Sequence, residues 1–472
     1  MTSGALHRPA EAARRDPVGG RPPIDPRDPS ATAAARRAVT ALWGPPSERS
    51  FAVRYWDGSV EGSGAGESRF TLVVRRPGAL RRALLPPSEL ALVEAYLRDD
   101  LDIEGDMQAA GTLGDLAARR LRSAGDVGRL ARTLLRLPRD EAPDDLADAR
   151  HSPGPLARLL RHTRGEDAAS VRHHYDVGNE FYSLWLDARM IYSCAYFPTG
   201  AESLDAAQEA KLEHVCRKLR LRAGHHLLDV GCGWGGLLEF AATRYGVTGV
   251  GITLSEPQAS AARARLQAAG VGDRVRIEVR DYRDLPGDWT FDRAVSVGMR
   301  EHVGARRLPG FFAAVHRALR PGGLYLDHGI VRGGAVPAGP RVWLARRLWR
   351  RDAFIQRYVF PGGELVPLGA IIRDAERAGL EARDVENLRE HYGRTLDHWV
   401  SRLEARHAEA AAIVGERTYR VWRLYMAATG LGFASGRITL IQSLFAKPGE
   451  GGGVEVPRTR ADLYAPAGAH RA

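Results

Sequence analysis

The 472-residue sequence has few cysteines and no long apolar run, and both shortages narrow what the chain can be. The three cysteines, Cys194, Cys216 and Cys232, match no zinc-binding spacing and argue against a disulfide framework, so we expect no bound metal. No stretch of about 18 or more apolar residues is present, so we expect no membrane-spanning helix. The first residues lack the apolar core of a secretory signal, and we therefore expect a cytoplasmic protein.

Lysine is also scarce, because the 68 basic residues include only three lysines and therefore 65 arginines; the net charge is +11. Arginine binds phosphate through two parallel hydrogen bonds, which suits nucleic acid or anionic lipid headgroups. An arginine-biased genome would give the same composition, so charge alone identifies no partner. No nucleic-acid-binding motif accompanies the charge, and we expect no nucleic-acid partner.

The pattern of apolar residues divides the chain into four parts. Residues 1–37 and 449–472 have no hydrophobic period and are predicted to be a disordered leader and a disordered tail. Residues 38–150 predict a small α+β domain, with strands around a turn at Asp57-Gly58, followed by an acidic linker. Residues 151–448 repeat strand and helix, which predicts a Rossmann-like α/β domain with a mostly parallel, doubly wound sheet.

A glycine-rich turn follows the first strong strand of the larger domain. Asp229, Gly231, Gly233, Gly235 and Gly236 form D-x-G-x-G-x-G-G. Glycines there let the backbone turn tightly and approach a ligand, which in open α/β sheets lies outside the carboxyl ends of the strands. Dinucleotide binding is the generic interpretation, and a purely structural turn is the alternative.

The residues of this turn favour a different cofactor. The phrase LLDVGCGWGG resembles the first motif of Rossmann-like methyltransferases, which bind S-adenosylmethionine. Trp234 inside the loop and Leu237-Leu238 after it disfavour the dinucleotide interpretation. We therefore expect an S-adenosylmethionine site at this turn.

Polar residues follow the next two predicted strands. Thr253 and Leu254 end the second strand and Gln258 lies one helical turn later, where polar groups can hydrogen-bond a hydroxyl or a carboxylate without adding charge. Asp281 and Tyr282 end the third strand, where an adenine is expected. A carboxylate there can accept a hydrogen bond from the exocyclic amine.

Eight phrases, in this order, together resemble the cyclopropane-fatty-acid synthase family, which includes the mycolic acid cyclopropane synthases. They are HHYDVGNEFYSLWLD (173–187), MIYSCAYF (190–197), LLDVGCGWGG, GITLSEPQ (251–258), SVGMREHVG (296–304), the strand carrying His328, YVFPGGELVP (358–367) and HYGRTLDHW (391–399). The resemblance covers about residues 155–448, and the preceding domain is similar to the N-terminal domain of the larger bacterial synthases. It implies an enzyme that uses S-adenosylmethionine to methylenate the double bond of an unsaturated phospholipid acyl chain.

The resemblance also implies which residues act. In this family a bound bicarbonate ion is thought to serve as the base. Its ligands correspond here to Cys194, Glu301, His328, the Ile330 backbone and Tyr392. Imidazole and phenol can donate to an oxyanion, and Glu301 would accept the bicarbonate hydroxyl and keep His328 charged.

Two further contacts to the cofactor are implied by the phrase MIYSCAYF, namely Tyr192 and Ser193. Each implied bicarbonate ligand also has a plain structural interpretation. Cys194 could be a small buried hydrophobic residue, His328 a core histidine at a strand end, Tyr392 an aromatic at a helix start, and Glu301 part of a surface pair.

The sequence departs from the family pattern at Arg300, where an aromatic residue is more common, and at Asp327, where an apolar residue is usual. Both departures bear on local charge and on the acyl channel. They leave open an alkene methyltransferase that stops at a methylene- or methyl-branched chain. A small-molecule methyltransferase of secondary metabolism is the alternative from another class.

A basic amphipathic segment, Arg341 to Tyr358, interleaves tryptophan, leucine and phenylalanine with six arginines. Such a segment suits peripheral contact with an anionic membrane at the inner face of the cell membrane. The alternative is an ordinary helix packed on the sheet with a solvated basic face. The sequence leaves the oligomeric state open, with a homodimer among the options.

Overall fold

The computed structural model describes residues 29–64, 66–86, 88–139, 163–165, 174, 177–333, 354–454 and 456–464. Residues 1–28 of the predicted leader, nearly all of the predicted linker, the basic segment up to residue 353 and the last residues of the tail lie outside the described residues.

Four short strands form the sheet of the N-terminal unit, in the order β2-β1-β3-β4. They are β1 (Ala52–Arg54), β2 (Val60–Glu61), β3 (Phe70–Val74) and β4 (Leu101–Gly105). The predicted Asp57-Gly58 turn joins the antiparallel strands β1 and β2, and Gly58 adopts a φ of +82° that glycine tolerates without strain. The helices of this unit are α1 (Pro29–Trp43), α2 (Ala79–Leu84), α3 (Glu89–Leu97), α4 (Met107–Ala110), α5 (Leu113–Arg120) and α6 (Ala124–Leu134).

Helix α1 corrects the prediction that residues 1–37 form a disordered leader. Ala34, Ala35, Ala38 and Val39 are buried on one face of this helix, which packs against α5 and α6. The alanine-rich composition resembles that of a disordered segment. Alanine is nevertheless the strongest helix former, and small side chains at helical spacing let neighbouring helices approach closely.

The larger unit contains a seven-stranded sheet in the order β10-β11-β9-β8-β5-β6-β7. The strands from β9 to β7 in this order are parallel, and β10 and β11 are antiparallel additions at one edge, so the predicted mostly parallel sheet is confirmed. The strands are β5 (His226–Val230), β6 (Thr248–Thr253), β7 (Val275–Val279), β8 (Phe291–Val297), β9 (Leu319–Arg332), β10 (Glu381–Asn387) and β11 (Ile438–Ala446).

Apolar side chains cover both faces of this sheet, as expected of a doubly wound fold. Leu227 and Val295 belong to one buried cluster, whereas their neighbours Leu228 and Ala294 belong to another. Successive strand residues point to opposite faces, so the two clusters are the two sides of one sheet. The helices are α7 (Asn179–Ser183), α8 (Leu204–Lys218), α9 (Gly236–Tyr245), α10 (Glu256–Ala268), α11 (Leu308–Ala318), α12 (Leu368–Arg377), α13 (Arg389–Ala405), α14 (His407–Ala434) and α15 (Ala461–Tyr464).

Helix α15 corrects the prediction that residues 449–472 are a disordered tail. Leu463 is 4% exposed, and its carbonyl accepts a hydrogen bond from Arg217 Nη1 at 3.3 Å. Asp462 pairs with Arg220 at 3.0 Å. One buried leucine and two contacts to arginine hold this short helix, and neither is visible in the composition of the tail.

Helix α14 joins the two units, which share one continuous apolar core. Arg423 Nη1 donates to the Ile103 carbonyl at 2.9 Å, and Arg420 Nη1 donates to the Tyr96 carbonyl at 2.9 Å. These hydrogen bonds attach α14 to backbone carbonyls of the N-terminal unit. Among the described helices, none combines the length and the apolar run that crossing a bilayer requires.

Arg300 and Asp327, the two departures from the family pattern, form a buried ion pair with each other. Arg300 Nε lies 2.9 Å from Asp327 Oδ2, and the Tyr325 hydroxyl donates to the other carboxylate oxygen at 3.2 Å. Arg300 is 2% exposed and Asp327 is 1% exposed. A Cβ on Gly329 would lie 2.4 Å from Arg300 Nη2, so glycine leaves the room that the guanidinium occupies. The pair fastens the turn that begins at Arg300 to β9.

We predict that the two charges of this pair are strongly coupled in stability. Arg300→Leu or Asp327→Leu alone should lower the free energy of unfolding by about 3–5 kcal/mol, because each leaves one buried charge unpaired. The double variant Arg300→Leu/Asp327→Leu removes both charges and should be far closer to wild type. Urea unfolding of the three variants measures this. A double variant as unstable as the sum of the singles would show that the charges are not coupled.

Candidate active site

A cavity opens at the carboxyl ends of the parallel strands β5 and β8. This is where open α/β sheets bind their ligands. Its walls include six of the predicted cofactor residues, which are Tyr192, Ser193, Asp229, Gly231, Gly233 and Gln258. Gly235, Thr253, Leu254, Asp281 and Tyr282 do not line it. The end of the first strand, its glycine turn and residues before α8 therefore lie at one cavity.

Glycine is required in this turn for two different reasons. Gly231 has a φ of +92°, and a Cβ there would lie 3.0 Å from Met299. Gly233 also has a positive φ, and the space beside it is open. Gly235 caps α9, and a Cβ there would lie 3.0 Å from Ala262 on α10. The first two glycines shape the cavity wall, whereas Gly235 allows two helices to pack.

Asp229 is the charged residue at the floor of this cavity. It is 2% exposed, and its Oδ1 has no hydrogen-bond partner among the described residues. Burial raises the pKa of its carboxyl to about 7, and the nearby Lys211 opposes that rise. A buried acceptor without a partner is costly, so this oxygen is placed for a donor from a ligand.

The end of β6 positions Gln258. Ser255 caps α10 by accepting a hydrogen bond from the Gln258 amide at 3.4 Å. Thr253 Oγ1 lies 2.9 Å from Gln258 Oε1 and fixes the side chain against the cavity wall. Thr253 therefore acts through Gln258 rather than at the cavity itself, and Leu254 is only partly buried beside it.

Asp281 is engaged by its own neighbour instead of facing the cavity. Its Oδ1 accepts hydrogen bonds from the Arg283 backbone at 2.9 Å and from Arg283 Nε at 2.8 Å, and Oδ2 pairs with Nη2 at 2.5 Å. Burial alone would raise the pKa of Asp281, but these bonds hold it below its usual value. Tyr282 packs edge-on against Phe311 with ring centroids 5.2 Å apart. The Asp281 carboxylate, which we expected to accept from an adenine amine, is therefore already hydrogen-bonded to Arg283.

A second polar group lies along β9. Glu301 Oε1 accepts a hydrogen bond from the Ile330 amide at 2.7 Å. Its Oε2 is buried and has no hydrogen-bond partner among the described residues. Burial raises the pKa of Glu301, and Arg300 opposes that rise. The plain interpretation of Glu301 as a surface residue is wrong, since the carboxylate is enclosed and anchored by the strand.

His328 lies inside β9, not at a strand end as its alternative interpretation assumed. Gln442 is directly opposite on β11, and its Nε2 lies 3.0 Å from His328 Nδ1. Burial lowers the pKa of His328 well below its usual value, and Lys211 and Lys218 lower it further. These influences favour the neutral ring, in contrast to the expectation that Glu301 keeps His328 charged.

The neutral state of His328 still leaves it a donor. When the Gln442 amide donates to Nδ1, the ring carries its proton on Nε2. That nitrogen is buried and has no hydrogen-bond partner among the described residues. Gln442 was missed from the sequence, although a glutamine inside the apolar run ITLIQSLF was a visible signal.

Cys194 and Tyr392 meet at one backbone carbonyl. Cys194 Sγ lies 3.9 Å from the Leu388 oxygen, and the Tyr392 amide donates to the same oxygen at 3.1 Å. Cys194 is fully buried, and burial raises the pKa of its thiol so that it stays protonated. A protonated thiol is a weak donor and a poor nucleophile. Tyr392 lies in the first turn of α13, as its plain interpretation proposed.

An aromatic wall stands beside the cavity residue Tyr192. Its ring centroid lies 5.2 Å from that of Trp399, 5.4 Å from Trp185 and 6.0 Å from Trp422. All three tryptophans are buried. Such packing excludes water from this side of the cavity.

Lys211 also lines the cavity and was missed from the sequence. It is 2% exposed, and its Nζ donates to Ser193 Oγ at 3.0 Å. Burial lowers its pKa to about 8, an effect that Asp187 and Cys194 oppose. The scarcity of lysine was the available signal, because this chain uses arginine for nearly every other basic position.

Comparison with known proteins identifies the family. A family model described as mycolic acid cyclopropane synthetase matches residues 162–443, and a domain of unknown function matches residues 46–111. A probable fatty acid methyltransferase of Pseudomonas putida is 41% identical over 416 residues, which cover 87% of this chain and 95% of that protein. A cyclopropane-fatty-acyl-phospholipid synthase of Escherichia coli is 38% identical over 281 residues, 60% of this chain and 68% of that protein.

A solved structure shows the same relation in three dimensions. The crystal structure of a mycolic acid cyclopropane synthase complexed with SAH and CTAB matches with a TM-score of 0.56 and 33% identity, covering 59% of this chain and 98% of that one. The family model spans more than half of the chain. The chain therefore belongs to the mycolic acid cyclopropane synthetase family of S-adenosylmethionine-dependent enzymes.

Proposed function

We propose that this enzyme transfers a methylene group from S-adenosylmethionine to the double bond of an unsaturated phospholipid acyl chain, giving a cyclopropane fatty acid. The observation that carries the proposal is the pair of buried, unpartnered polar atoms, Glu301 Oε2 and His328 Nε2, in a site with apolar walls. A water-excluding site with one enclosed acid–base group is what methylenation of an alkene needs.

The residues of the chain divide the work. S-adenosylmethionine, when bound, supplies an electrophilic methyl group. Asp229 and Gln258 fit its polar groups, because one offers an unpartnered acceptor and the other a held amide. The methyl–sulfur bond would break as the alkene electron pair bonds to the methyl carbon, which would release S-adenosylhomocysteine and leave the neighbouring alkene carbon electron-poor. Transfer of a proton from the new methyl group to the base would then leave its C–H electron pair to close the ring. The aromatic wall around Tyr192 keeps water from intercepting the electron-poor carbon.

Bound bicarbonate fits the second polar group as the base. Its hydroxyl would donate to Glu301 Oε2, and His328 Nε2 would donate to one of its oxygens. The Ile330 amide donates to Glu301 Oε1 and so holds the carboxylate in place. This amide is therefore already engaged with Glu301. Tyr392 and the protonated Cys194 would complete the set as donors. An open acceptor and an open donor match the two faces of a hydrogencarbonate ion.

A fatty acid methyltransferase is the second candidate, and one observation favours it. The Pseudomonas putida relative with that name covers both units of this chain, whereas the Escherichia coli synthase matches over 60% of it. The buried Arg300–Asp327 pair lies at the back of β9, next to Glu301. A change in charge at that position can change how the electron-poor carbon of the substrate reacts.

Contact with the membrane is also part of the proposal. The acyl substrate is in a bilayer, and the segment from Arg341 to Tyr358 carries six arginines among its aromatic and aliphatic residues. Residues 341–353 lie outside the described residues, so the support is the sequence pattern and the net charge of +11. We place the enzyme in the cytoplasm, at the inner face of the membrane.

Lipids of a bacterium expressing this chain should contain acyl chains heavier by one methylene than their monounsaturated precursors. Mass spectrometry detects the added mass, and the proton spectrum separates the two candidates. High-field ring protons identify a cyclopropane, whereas vinylic methylene or methyl-branch signals identify the fatty acid methyltransferase. An unchanged lipid profile, with folded protein present, would contradict both.

Glu301→Gln should lose about 10²–10⁴-fold in activity while keeping S-adenosylmethionine binding, because it keeps the shape and removes the acceptor charge. Tyr392→Phe should cost less, and Cys194→Ser should cost little, since a hydroxyl is a better donor than a thiol. Glu390→Gln, a change at an exposed residue of the same helix as Tyr392, is the control.

Removing bicarbonate should slow the wild type and restoring it should recover the rate. Normal turnover of Glu301→Gln without bicarbonate would exclude the proposed base.

Sedimentation with anionic vesicles should decrease with salt, because phosphate–arginine attraction is screened over about 8 Å at physiological ionic strength. Changing Arg346, Arg347, Arg350 and Arg351 to Gln should reduce binding further. The control removes the same four charges from exposed arginines elsewhere, Arg129, Arg373, Arg377 and Arg406. Equal loss in both variants would show that net charge, and not this segment, docks the protein.

A further inference from the structure

The positions of the three lysines are informative because the chain has 65 arginines. Lys447 Nζ donates to the His316 and Leu319 carbonyls at 2.9 and 2.7 Å, and so closes the end of α11. Lys218 lies 3.2 Å from Asp384 and 2.5 Å from Glu386. Both ammonium groups therefore have structural tasks.

Lys211 is different because its surroundings leave donors to spare. An ammonium group has three N–H donors. Among the described residues, the Lys211 ammonium donates to Ser193 Oγ at 3.0 Å. Asp187 and Asp229 lie near enough to favour its charge. Holding a lysine 2% exposed at the wall of a cavity is costly unless its remaining donors find partners.

The opposite charge stands in the same cavity. Asp229 Oδ1 is buried and lacks a hydrogen-bond partner among the described residues, and Asp229, Ser193 and Lys211 all line the cavity wall. One side thus offers an acceptor for a cation, and the other offers an ammonium and a hydroxyl for an anion. This is the complement of an amino-acid zwitterion, which the methionine part of the cofactor carries.

We infer that Lys211, together with Ser193, binds the α-carboxylate of the cofactor, while Asp229 accepts from its α-ammonium group. The inference depends on the use of S-adenosylmethionine, and it adds a carboxylate subsite to the glycine turn and Gln258. Lysine suits this position because its ammonium group is compact, whereas the guanidinium of arginine is broad and planar.

Two ligands separate the carboxylate subsite from the rest of the cavity. S-adenosylhomocysteine carries the amino-acid part, and 5′-methylthioadenosine keeps the nucleoside and sulfur without it. In calorimetric titrations Lys211→Met should weaken S-adenosylhomocysteine by about 10- to 100-fold, the loss expected for a hydrogen bond to a charged group, and leave 5′-methylthioadenosine nearly unchanged. Lys218→Met, which removes a buried lysine of the same helix outside the cavity, should leave the ratio of the two affinities as in wild type.

A probe on the wild-type protein avoids any loss of folding in the variants. The carboxamide of S-adenosylhomocysteine, which lacks the negative charge, should bind wild type about 10- to 100-fold more weakly than the acid. Equal binding of amide and acid, or an unchanged affinity ratio in a folded Lys211→Met, overturns the carboxylate subsite. Failure of wild type to bind either nucleoside would instead contradict the cofactor itself, so the two failures are distinguishable.

Discussion

Burial of ionisable groups without a full set of protein partners is the constraint on which this site depends. Asp229, Lys211, Glu301 and His328 are all enclosed, and burial moves the pKa of each toward its neutral form. A folded protein tolerates such groups where their open atoms are later satisfied by a ligand. The unpartnered atoms of Asp229, Glu301 and His328 support the ligand contacts proposed above, because a hydrogen bond in buried surroundings is strong.

The main features of the fold were predictable because burial leaves a strong trace in sequence. Strands covered on both faces are continuous apolar runs, and the glycine turn after β5 is visible in its spacing. The edge strand β10 (Glu381–Asn387) was missed because an edge needs only one covered side and its residues are mostly charged. Helices α1 and α15 were taken for disorder because composition does not reveal which alanines or single leucines find a partner.

The sequence named residues of the candidate site but could not give their protonation states or hydrogen-bond partners. Resemblance to the family named Glu301 and His328, and the structure encloses both. It could not give the charge of His328, because that depends on burial within the folded sheet and on Lys211 and Lys218, which are distant along the chain. It could not show that Asp281 is occupied by Arg283, since a local ion pair and an open carboxylate are identical in sequence. Protonation and occupancy are set by three-dimensional neighbours, which a motif does not record.

The two polar groups of the site are linked through one short stretch of chain. The Ser193 hydroxyl accepts from Lys211 in the cofactor cavity, and the thiol of the next residue, Cys194, lies 3.1 Å from the Ala195 carbonyl and 3.9 Å from the Leu388 carbonyl. Gln208 fixes this stretch by donating to the Ser193 carbonyl at 2.9 Å. One backbone segment therefore connects the cavity at the glycine turn with a residue of the proposed base site.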